Sequence, residues 1–376
     1  MKTSADIAIV GGGPVGLSLV AMLVANGVPA NKLVLIDGKS LAQASADPRS
    51  IALSHGSHQL LSTISAWPNT VTPITQIHVS RRGSFGRTLI DAADYRLPAL
   101  GYVCRYGDLV QALDDLMAGL QLWRSIKVEH VQQRERDVVL NLSNGEELTA
   151  SIIVQAEGGV FSEQTRKAQH RDYAQVAITA TVHALAAPPG RAFERFTAEG
   201  PLALLPQADG YAMVWCVAPA TSERLMALNE SDFMQELQRV FGQRAGSFVS
   251  LGPRHQYPLG LNAMPVTEGR SVAIGNAAQT LHPVAGQGLN LGLRDAAVLA
   301  RLLARDPSVR TLATFEQQRQ RDRASTVRLT DLMARAFASS EDQSLLQRLL
   351  GASLGVLDLV PPARRALAEQ MMYGWR

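Results

Sequence analysis

The chain has 376 residues, of which 46% are hydrophobic and 18% charged, and its formal net charge is +3. This balance is typical of a soluble globular protein with two or three domains, and it excludes intrinsic disorder, which combines low hydrophobicity with high net charge. The two cysteines, Cys104 and Cys216, are too few for a disulfide framework or a four-cysteine zinc site. We therefore expect no metal, and a reducing cytoplasm is the simplest compartment.

The first forty residues predict a strand, a glycine-rich turn, a helix and a second strand. Ile7–Val10 is a short apolar run typical of a buried parallel strand, and Leu33–Ile36 is another, which ends at Asp37. Between them, residues 11–16 have the spacing G-x-G-x-x-G, and Leu17–Ala25 continues with good helix formers. This order indicates a dinucleotide-binding βαβ unit. A glycine-rich turn in an unrelated α/β fold is the alternative.

Each glycine of this motif has its own task in a dinucleotide site. Gly11 permits a tight turn, Gly13 lets the backbone approach a pyrophosphate, and Gly16 lets the helix pack closely on the strand. The helix N-terminus offers free N–H groups and a partial positive charge to the phosphates. Asp37 is placed to accept hydrogen bonds from the adenosine ribose. An acid there disfavours NADP and leaves FAD or NAD.

A second glycine-rich stretch lies about 260 residues downstream of the first. Ser271–Ile274 predicts a strand, a loop over 275–292 is rich in glycine, and an apolar helix continues through Leu303. If both helix N-termini face one ligand, that ligand is long, and FAD fits. Its phosphates would lie on the first helix and its isoalloxazine on the second, where N–H groups stabilise the negative charge of the reduced flavin.

With these two glycine-rich segments, the chain resembles the FAD-dependent aromatic hydroxylases related to para-hydroxybenzoate hydroxylase. Within that family it is most similar to the ubiquinone-biosynthesis branch. The resemblance covers essentially the whole chain. Beyond the N-terminal motif, it rests on D-x-R-x-I-A-L at 47–53, on the stretches 190–197 and 200–206, on Tyr257-Pro258-Leu259 and on residues 275–295. The last stretch is the most specific, because Asn276 and Gln279 resemble this branch while most relatives have Gly-Asp and His there.

The resemblance implies an α/β protein in which a Rossmann-type FAD-binding domain is interleaved with a β-sheet substrate domain and followed by a C-terminal helical region. We expect the FAD-binding domain at 1–75, 100–170 and 270–305, the substrate domain at 76–99 and 171–269, and the helical region at 306–376. Partial alternation of apolar residues predicts sheet strands over Ala174–Leu185 and Leu202–Val217.

Roles for individual residues also follow from the resemblance. Arg49 would reach FAD from the loop after the second strand, and Asn276 would replace the Asp that commonly binds the ribityl chain. Glu157 stands where relatives have Asp, so its reach is longer by one methylene. The cofactor-binding candidates are Gly11, Gly13, Pro14, Gly16, Asp37, Arg49, Glu157, Gly158, Asn276, Gly286, Gln287, Gly288 and Asn290.

Candidates for catalysis and for the substrate pocket complete the set. Pro283 would lie above the reactive flavin carbon, and His282 is either catalytic or a structural hydrogen-bonding residue. An apolar pocket is expected under the substrate sheet. Its candidate lining residues are Phe193, Phe196, Met213, Trp215 and Tyr257, although for each of them taken singly a place in the core is the favoured reading.

The implied activity is a monooxygenase reaction that consumes NAD(P)H and O₂. NAD(P)H reduces the flavin and departs, O₂ adds to give a flavin C4a-hydroperoxide, and one oxygen passes to the ring of a polyprenylated phenol. Two alternatives stay open, a non-catalytic FAD-fold subunit of a ubiquinone-biosynthesis assembly and an ordinary FAD or NAD dehydrogenase.

The C-terminal region differs in charge from the rest of the chain. Residues 301–376 contain twelve Arg and no Lys against eight acidic residues. A solvated helical face is one reading, and a weak attraction to anionic lipid or to a protein partner is the other. No nucleic-acid partner is expected, because acidic residues interleave with the basic ones and aromatic residues are sparse. Leu345–Trp375 is expected to pack against the FAD-binding domain, with contact to a membrane or to sister enzymes as the alternative.

Overall fold

The computed structural model describes residues 2–82, 87–158, 169–208, 210–263, 266–282, 286–338 and 361–374. Its α-helices are α1 (Pro14–Ala25), α2 (Leu41–Ser45), α3 (His55–Thr63), α4 (Tyr106–Asp114), α5 (Pro219–Ala227), α6 (Glu230–Phe241), α7 (Gln287–Leu303), α8 (Val309–Ala338) and α9 (Pro361–Tyr373). Its strands are β1 (Lys2–Val10), β2 (Leu33–Asp37), β3 (Ser50–Ser54), β4 (Thr72–Ile74), β5 (Gln76–Arg81), β6 (Arg87–Asp91), β7 (Gly101–Arg105), β8 (Gln121–Arg124), β9 (Val128–Gln133), β10 (Val138–Leu142), β11 (Glu147–Gln155), β12 (Gln169–Leu185), β13 (Arg191–Phe196), β14 (Pro201–Gln207), β15 (Gly210–Val217), β16 (Ser247–Leu251), β17 (His255–Ala263), β18 (Thr267–Glu268), β19 (Ser271–Ala273) and β20 (Gln279–Thr280).

The first sheet has parallel strands at its centre, in the order β19-β11-β1-β2-β8. β18 pairs antiparallel with β19, and the β9–β10 meander is attached antiparallel to β11. The central strands are apolar on both faces because both are covered. One face packs on α1, α4 and α7 through residues such as Ile9, Leu17 and Leu293. The other packs on the meander through residues such as Val34 and Leu140.

The second sheet is antiparallel except for the β13–β5 pair, and its strand order is β20-β17-β12-β15-β14-β13-β5-β6. β16 also pairs with β12. Apolar residues alternate along β12, where Ile178, Ala180 and Val182 face a core shared with α5 and α6. The opposite face of the sheet contacts the small sheet β3-β7-β4, where Ala192 packs near Val103. This opposite face therefore points toward the first sheet and its loops.

Because β5 and β6 belong to the second sheet while the chain on either side of them packs with the first, the fold is interleaved, and the predicted α/β fold class is confirmed. The expected domain boundaries stay a prediction. The first helix begins at Pro14, three residues before the predicted Leu17, since Gly13 supplies its N-cap position and proline suits the first helical turn.

Part of the basic C-terminal region is buried, which corrects the reading of a solvated face. Arg319 and Arg323 of α8 are both buried and form ion pairs with Asp295 of α7. Asp322 pairs with Arg319 and with Arg294. These charges join α7 to α8. Helix α9 packs with Ile90 and Leu100 through its Ala368 and Met372, and residues 345–360 of the predicted packing segment lie outside the described residues.

Candidate active site

The parallel strands of the first sheet bring four loops together at one edge. Val10 at the end of β1 lies beside Ile36 of β2 and Gln155 of β11, and Gln155 lies beside Ala273 of β19. The loops that follow these four strands therefore start next to one another. They carry the glycine motif, Asp37, Glu157 and Asn276. In open α/β sheets, ligands bind in the crevice outside the carboxyl ends of the strands.

Two glycines of the first motif are required by close contacts. Gly11 has φ +111°, and a Cβ atom there would lie 2.6 Å from the carbonyl carbon of Ala156. A Cβ atom at Gly16 would lie 1.9 Å from the Gly11 carbonyl oxygen and 3.4 Å from the Ala156 Cβ. Only hydrogen fits at either position, so α1 can start directly against the loop that follows β11.

The N-terminus of α1 is open to a ligand. Gly13 at the N-cap makes no side-chain hydrogen bond to the helix, and no acidic residue lies in the first turn. The first N–H groups of a helix have no intrahelical acceptor, so these groups and the helix dipole favour an anion. The Tyr106 hydroxyl lies 3.0 Å from the position of a Cβ atom on Gly13. Tyr106, the first residue of α4, therefore borders the same space, and sequence analysis did not identify it.

Asp37 is held at the end of β2 by charge and by backbone hydrogen bonding. Its Oδ1 accepts from the Lys39 N–H, and its Oδ2 lies 3.4 Å from Arg124 Nη1. The other nitrogen of this guanidinium, Nη2, lies 2.5 Å from Asp114 Oδ1. Arg124 therefore fixes the orientation of Asp37, a role that sequence analysis missed because the two residues are 87 positions apart.

Glu157 lies near the same carboxylate. Burial raises the pKa of Glu157, the negative charge of Asp37 raises it further, and Lys127 opposes both. Two carboxyl groups thus share the space after β2 and β11, as hydrogen-bond acceptors for one polar ligand would. A Cβ atom added at the neighbouring Gly158 would have no atom within 4 Å, so space is open there.

Arg49 is bound to the protein by three contacts. It forms a bidentate ion pair with Asp47, with Nη2 2.7 Å from Oδ2. Its guanidinium carbon lies 4.9 Å from the ring centre of Tyr106 and 6.0 Å from that of Tyr257. The hydrogen bond to Asp47 raises the pKa of Arg49. Arg49 is nonetheless partly exposed, and it stands where the β2 loop, α4 and the second sheet meet.

The second glycine-rich loop lies against the first. A Cβ atom at Gly292 of α7 would lie 2.8 Å from Val15 Cγ2 and 3.1 Å from the Gly275 Cα, so α7 and α1 cross in close contact near their N-terminal ends. Helix α7 also starts without a side-chain cap, at Gly286. The exposed Asn276 has its Oδ1 3.8 Å from a Cβ position on Gly288. Two uncapped helix N-termini and an exposed amide thus adjoin one space.

Two of the residues predicted to line the isoalloxazine have side chains that are engaged within the protein, and their place beside the cofactor stays a prediction. Asn290 is buried, and its Oδ1 accepts from the Ser54 N–H and the Ser57 hydroxyl. Its Nδ2 donates to the carbonyls of Ala52 and Gly286. Every hydrogen-bonding position of this amide is therefore used to tie α7 to β3 and α3. Gln287 donates from Nε2 to the Met371 carbonyl, so only backbone groups of these residues can face a cofactor.

The structure favours the structural reading of His282. The ring is 1% exposed, its Nε2 lies 2.9 Å from Gln175 Oε1, and burial lowers its pKa to about 4. It is therefore neutral at physiological pH and links the β20 loop to β12 rather than exchanging protons with solvent. Pro283, the other catalytic candidate, lies outside the described residues. Gln279 is buried, and its Nε2 has no hydrogen-bond partner among the described residues.

The substrate-pocket candidates divide between the two faces of the second sheet. Met213 and Trp215 are 1% and 3% exposed and pack on α5 and α6, with the Trp215 ring 5.9 Å from that of Phe233. They are core residues, as is Phe193, and their prediction as pocket lining was wrong. Tyr257 points to the other face, where it meets Arg49. Phe196 alternates with Phe193 along β13 and lies on the Tyr257 face, fully buried.

A family model for the FAD binding domain matches residues 4–330 of the chain. The chain belongs to that family. It is 33% identical to ubiquinone hydroxylase UbiL of Rhodospirillum rubrum, over 98% of this chain and 89% of UbiL. It is 30% identical to 3-demethoxyubiquinol 3-hydroxylase of Escherichia coli, over 79% of each. Klebsiella pneumoniae HpxO complexed with FAD and uric acid has the same fold, with a TM-score of 0.79, 16% identity and coverage of 98% of this chain and 97% of HpxO.

These matches confirm the resemblance to the ubiquinone-biosynthesis branch, and they make the protein an FAD-dependent monooxygenase. The residues present fit FAD, because uncapped helix N-termini suit its phosphates and reduced flavin, and the orphaned amide of Gln279 and the exposed amide of Asn276 can serve its polar groups. Among the described residues, no helix is both long and apolar enough to cross a bilayer.

Proposed function

We propose that the protein hydroxylates a polyprenylated methoxyphenol in ubiquinone biosynthesis, with FAD as its cofactor, NAD(P)H as reductant and O₂ as oxidant. The observation that carries this proposal is the contact of Val15 with Gly275 and Gly292, which holds the two uncapped helix N-termini together. One extended cofactor can span both. The names of the relatives, ubiquinone hydroxylase and 3-demethoxyubiquinol 3-hydroxylase, support this substrate class.

In this proposal the two glycine loops bind opposite ends of FAD. Gly13 and Gly16 would bring backbone N–H groups to the pyrophosphate, while Gly11 and Pro14 shape the turn and the first helical position that place them there. The adenosine end would lie near Asp37, Glu157 and Gly158. Arg49 approaches from the β2 loop. Asn276 would bind the ribityl chain, and the backbone of residues 286–288 would face the isoalloxazine; the role of Pro283 stays a prediction, because it lies outside the described residues. Bound FAD supplies the redox chemistry with O₂.

The contribution of the protein itself is to position the substrate and keep water out. The face of the second sheet that carries Tyr257 and Phe196 would cover the flavin, and its apolar residues suit a prenylated ring. N–H groups at the α7 N-terminus would stabilise negative charge on the reduced cofactor. A methoxyphenol ring with a long prenyl chain, such as 2-octaprenyl-6-methoxyphenol, is the substrate that the branch resemblance favours.

The test is oxygen-dependent turnover with a matched substrate pair. Purified protein loaded with FAD should oxidise NAD(P)H faster when a prenylated methoxyphenol is added, and mass spectrometry should show one added oxygen atom that comes from ¹⁸O₂. The same prenylated ring lacking the hydroxyl group is the control. Turnover that is indifferent to the phenol and proceeds anaerobically with an artificial acceptor would instead identify a dehydrogenase.

We also propose that the protein works in the cytoplasm, peripherally on the inner face of the cytoplasmic membrane, where a polyprenylated substrate resides, and within a ubiquinone-biosynthesis assembly. Exposed arginines near the buried His78 and near Arg195 support the membrane contact. Burial lowers the pKa of His78 to about 4, and the positive charges of Arg244 and Arg87 add to this shift. Burial also lowers the pKa of Arg195, with Arg244 and Arg82 adding to it. Such a group of exposed arginines attracts anionic lipid. Cosedimentation with anionic but not neutral liposomes, weakened by salt, is the expected result.

A further inference from the structure

The side of the second sheet that faces the first sheet carries one carboxyl group in a row of apolar and hydroxyl-bearing residues that ends at His255. Glu194 of β13 pairs with Val79 of β5 and Ala203 of β14. The same row continues through Val214 of β15 to Thr179 of β12. Directly paired residues point to the same face. Because Phe193 faces the α5–α6 core, its neighbour Glu194 faces the opposite way, toward the cofactor loops.

This row borders open space. Val79, Glu194, Ala203, Val214 and Thr179 are all partly exposed, whereas their neighbours on the helix-covered face, such as Leu202, Leu204 and Met213, are fully buried. The residues of the row are short, so a ring-sized ligand could lie against them. Tyr257 and Phe196 lie on the same face, one row further along the strands.

The carboxyl group of Glu194 is not fully satisfied by the described part of the protein. Its Oε1 is buried and has no hydrogen-bond partner among the described residues. Burial raises its pKa to about 8, so the group is mostly neutral at pH 7. A neutral carboxyl group both donates and accepts a hydrogen bond. A buried carboxyl oxygen without a hydrogen bond destabilises the fold, so a structural role does not account for it.

We propose that Glu194 positions the substrate by hydrogen-bonding the phenolic hydroxyl group of its ring, and so selects free phenols over their ethers. This inference rests on the proposed function, since it places a phenol between the sheet and the flavin. The bond would fix the rotation of the ring in a pocket where the residues beside Glu194 on this row, from Val79 to Thr179, are apolar or hydroxyl side chains. Orientation of the ring determines which carbon faces the oxidant.

Other titratable groups lie on the same face of the sheet as Glu194 or on the elements packed against it. Cys216 lies on β15 in the neighbouring row, where burial raises the pKa of its thiol and the charge of Glu194 raises it further. Arg81 of β5, His183 of β12 and His255 of β17 are on the same face, and His255 pairs with Thr179 at the end of the Glu194 row. From the facing elements come His282, bonded to Gln175, and Arg49, bonded to Asp47. Neither His282 nor Arg49 forms an ion pair with Glu194.

The test compares a prenylated methoxyphenol with its O-methyl ether on the FAD-loaded protein. Binding is followed by the change in flavin absorbance for wild type, Glu194→Val, Glu194→Gln and the control Glu199→Gln. Glu199 is five residues along the chain, but its carboxylate is already satisfied by the Ala218 N–H and the Thr221 hydroxyl. Wild type and the control should prefer the phenol about tenfold, as expected for one buried hydrogen bond.

Glu194→Val should bind both compounds equally, and Glu194→Gln should keep part of the preference because an amide also donates and accepts. A Glu194→Val protein that retains the full preference overturns the inference. A failure of the proposed hydroxylation reaction would give a different result from a failure of this inference. If wild type shows the Glu194-dependent preference but hydroxylates neither compound, the positioning role stands and the proposed reaction fails.

The melting temperature provides a second readout. If Glu194 stabilised the fold, its replacement would lower the melting temperature, whereas the proposal predicts an increase. Glu194→Val and Glu194→Gln should raise the melting temperature at pH 8, because they remove an unsatisfied carboxyl group. Between pH 4.5, the ordinary value of the group, and about pH 8, the folded protein keeps a proton that the unfolded chain loses. Wild-type stability should therefore fall relative to Glu194→Gln as the pH rises through this window, and the difference should level off above it. A lower melting temperature for both variants would contradict the proposal.

Discussion

Replacing Gly16 by alanine is expected to reduce FAD affinity by at least about 100-fold, the loss that a displacement of about 1 Å causes in a preorganised site. The added Cβ atom would lie 1.9 Å from the Gly11 carbonyl oxygen. Both partners are backbone, so no flexible side chain can move aside. The start of α1 must therefore shift away from β1, and with it the N–H groups that would face the pyrophosphate. Titration of the apoprotein with FAD, followed by flavin fluorescence, measures the effect.

Gly252→Ala is the matched control for this substitution. Its added Cβ atom would lie 3.5 Å from the nearest atom, the Thr181 carbonyl oxygen, which is an ordinary contact. The same methyl group is thus introduced in the second sheet without a clash, and FAD affinity should not change. A Gly16→Ala protein that binds FAD as tightly as this control would show that the α1 N-terminus does not hold the cofactor.

The N-terminal unit could be predicted from the sequence because its signals are local. An apolar run, three spaced glycines and a terminal acid each have a direct steric or electrostatic cause, and β1, α1 and β2 follow them closely. The contacts of Gly11 and Gly16 are the ones that the motif requires. The long strands β12 and β15 were likewise apparent from alternation of apolar residues.

Contacts between residues that are far apart in the sequence, and that meet only because their strands or helices are neighbours in the fold, could not be predicted. Arg124 reaches Asp37 because β8 lies beside β2 in the sheet, and Tyr106 reaches Gly13 because α4 packs next to α1. Neither pair is close in sequence or carries a motif. The one local signal for Arg124 is its position at the end of a short strand. A parallel strand beside it would bring its own last residue to the same edge of the sheet, as β2 does with Asp37.

Alternation shows which residues share a face but not which face is covered. Trp215 and Met213 were therefore assigned to the pocket, although α5 and α6 bury that face. Glu194 was not singled out for the same reason, since a charged residue in a strand normally indicates a solvent-facing position. Only the pairing of β13 with its neighbours shows that the carboxyl group points to the interior.

The excess of arginine in residues 301–376 gave a similarly incorrect expectation about burial. Twelve arginines suggested a solvated surface, yet Arg319 and Arg323 are buried against Asp295. Their acidic partner lies on α7, more than twenty residues earlier, at a position that the sequence alone marks only as part of a helix.

That ion cluster leads to the largest expected effect on stability. Asp295 is 0% exposed, its Oδ1 lies 2.7 Å from Arg319 Nε, and its Oδ2 lies 2.8 Å from Arg323 Nη2. Asp295→Asn keeps the shape but removes the negative charge, so the buried Arg323 loses its acidic partner and the buried Arg319 keeps only Asp322. Breaking one side of a buried ion pair typically costs about 3–5 kcal/mol, and we expect a loss of that size in the free energy of unfolding measured with urea.

Glu369→Gln provides the comparison, because it breaks one ion pair on the surface of α9. Its partner Arg365 is 70% exposed, so water solvates either charge once the pair is lost. We expect a change within about 0.5 kcal/mol there. The contrast isolates burial as the cause, since both substitutions replace a carboxylate by an amide. Because α7 carries both Asp295 and the N-terminus assigned to the flavin, the Asp295→Asn protein should also lose FAD on mild heating before it unfolds. Equal stability of the two variants would mean that solvent reaches the α7–α8 cluster and that charge does not join these helices.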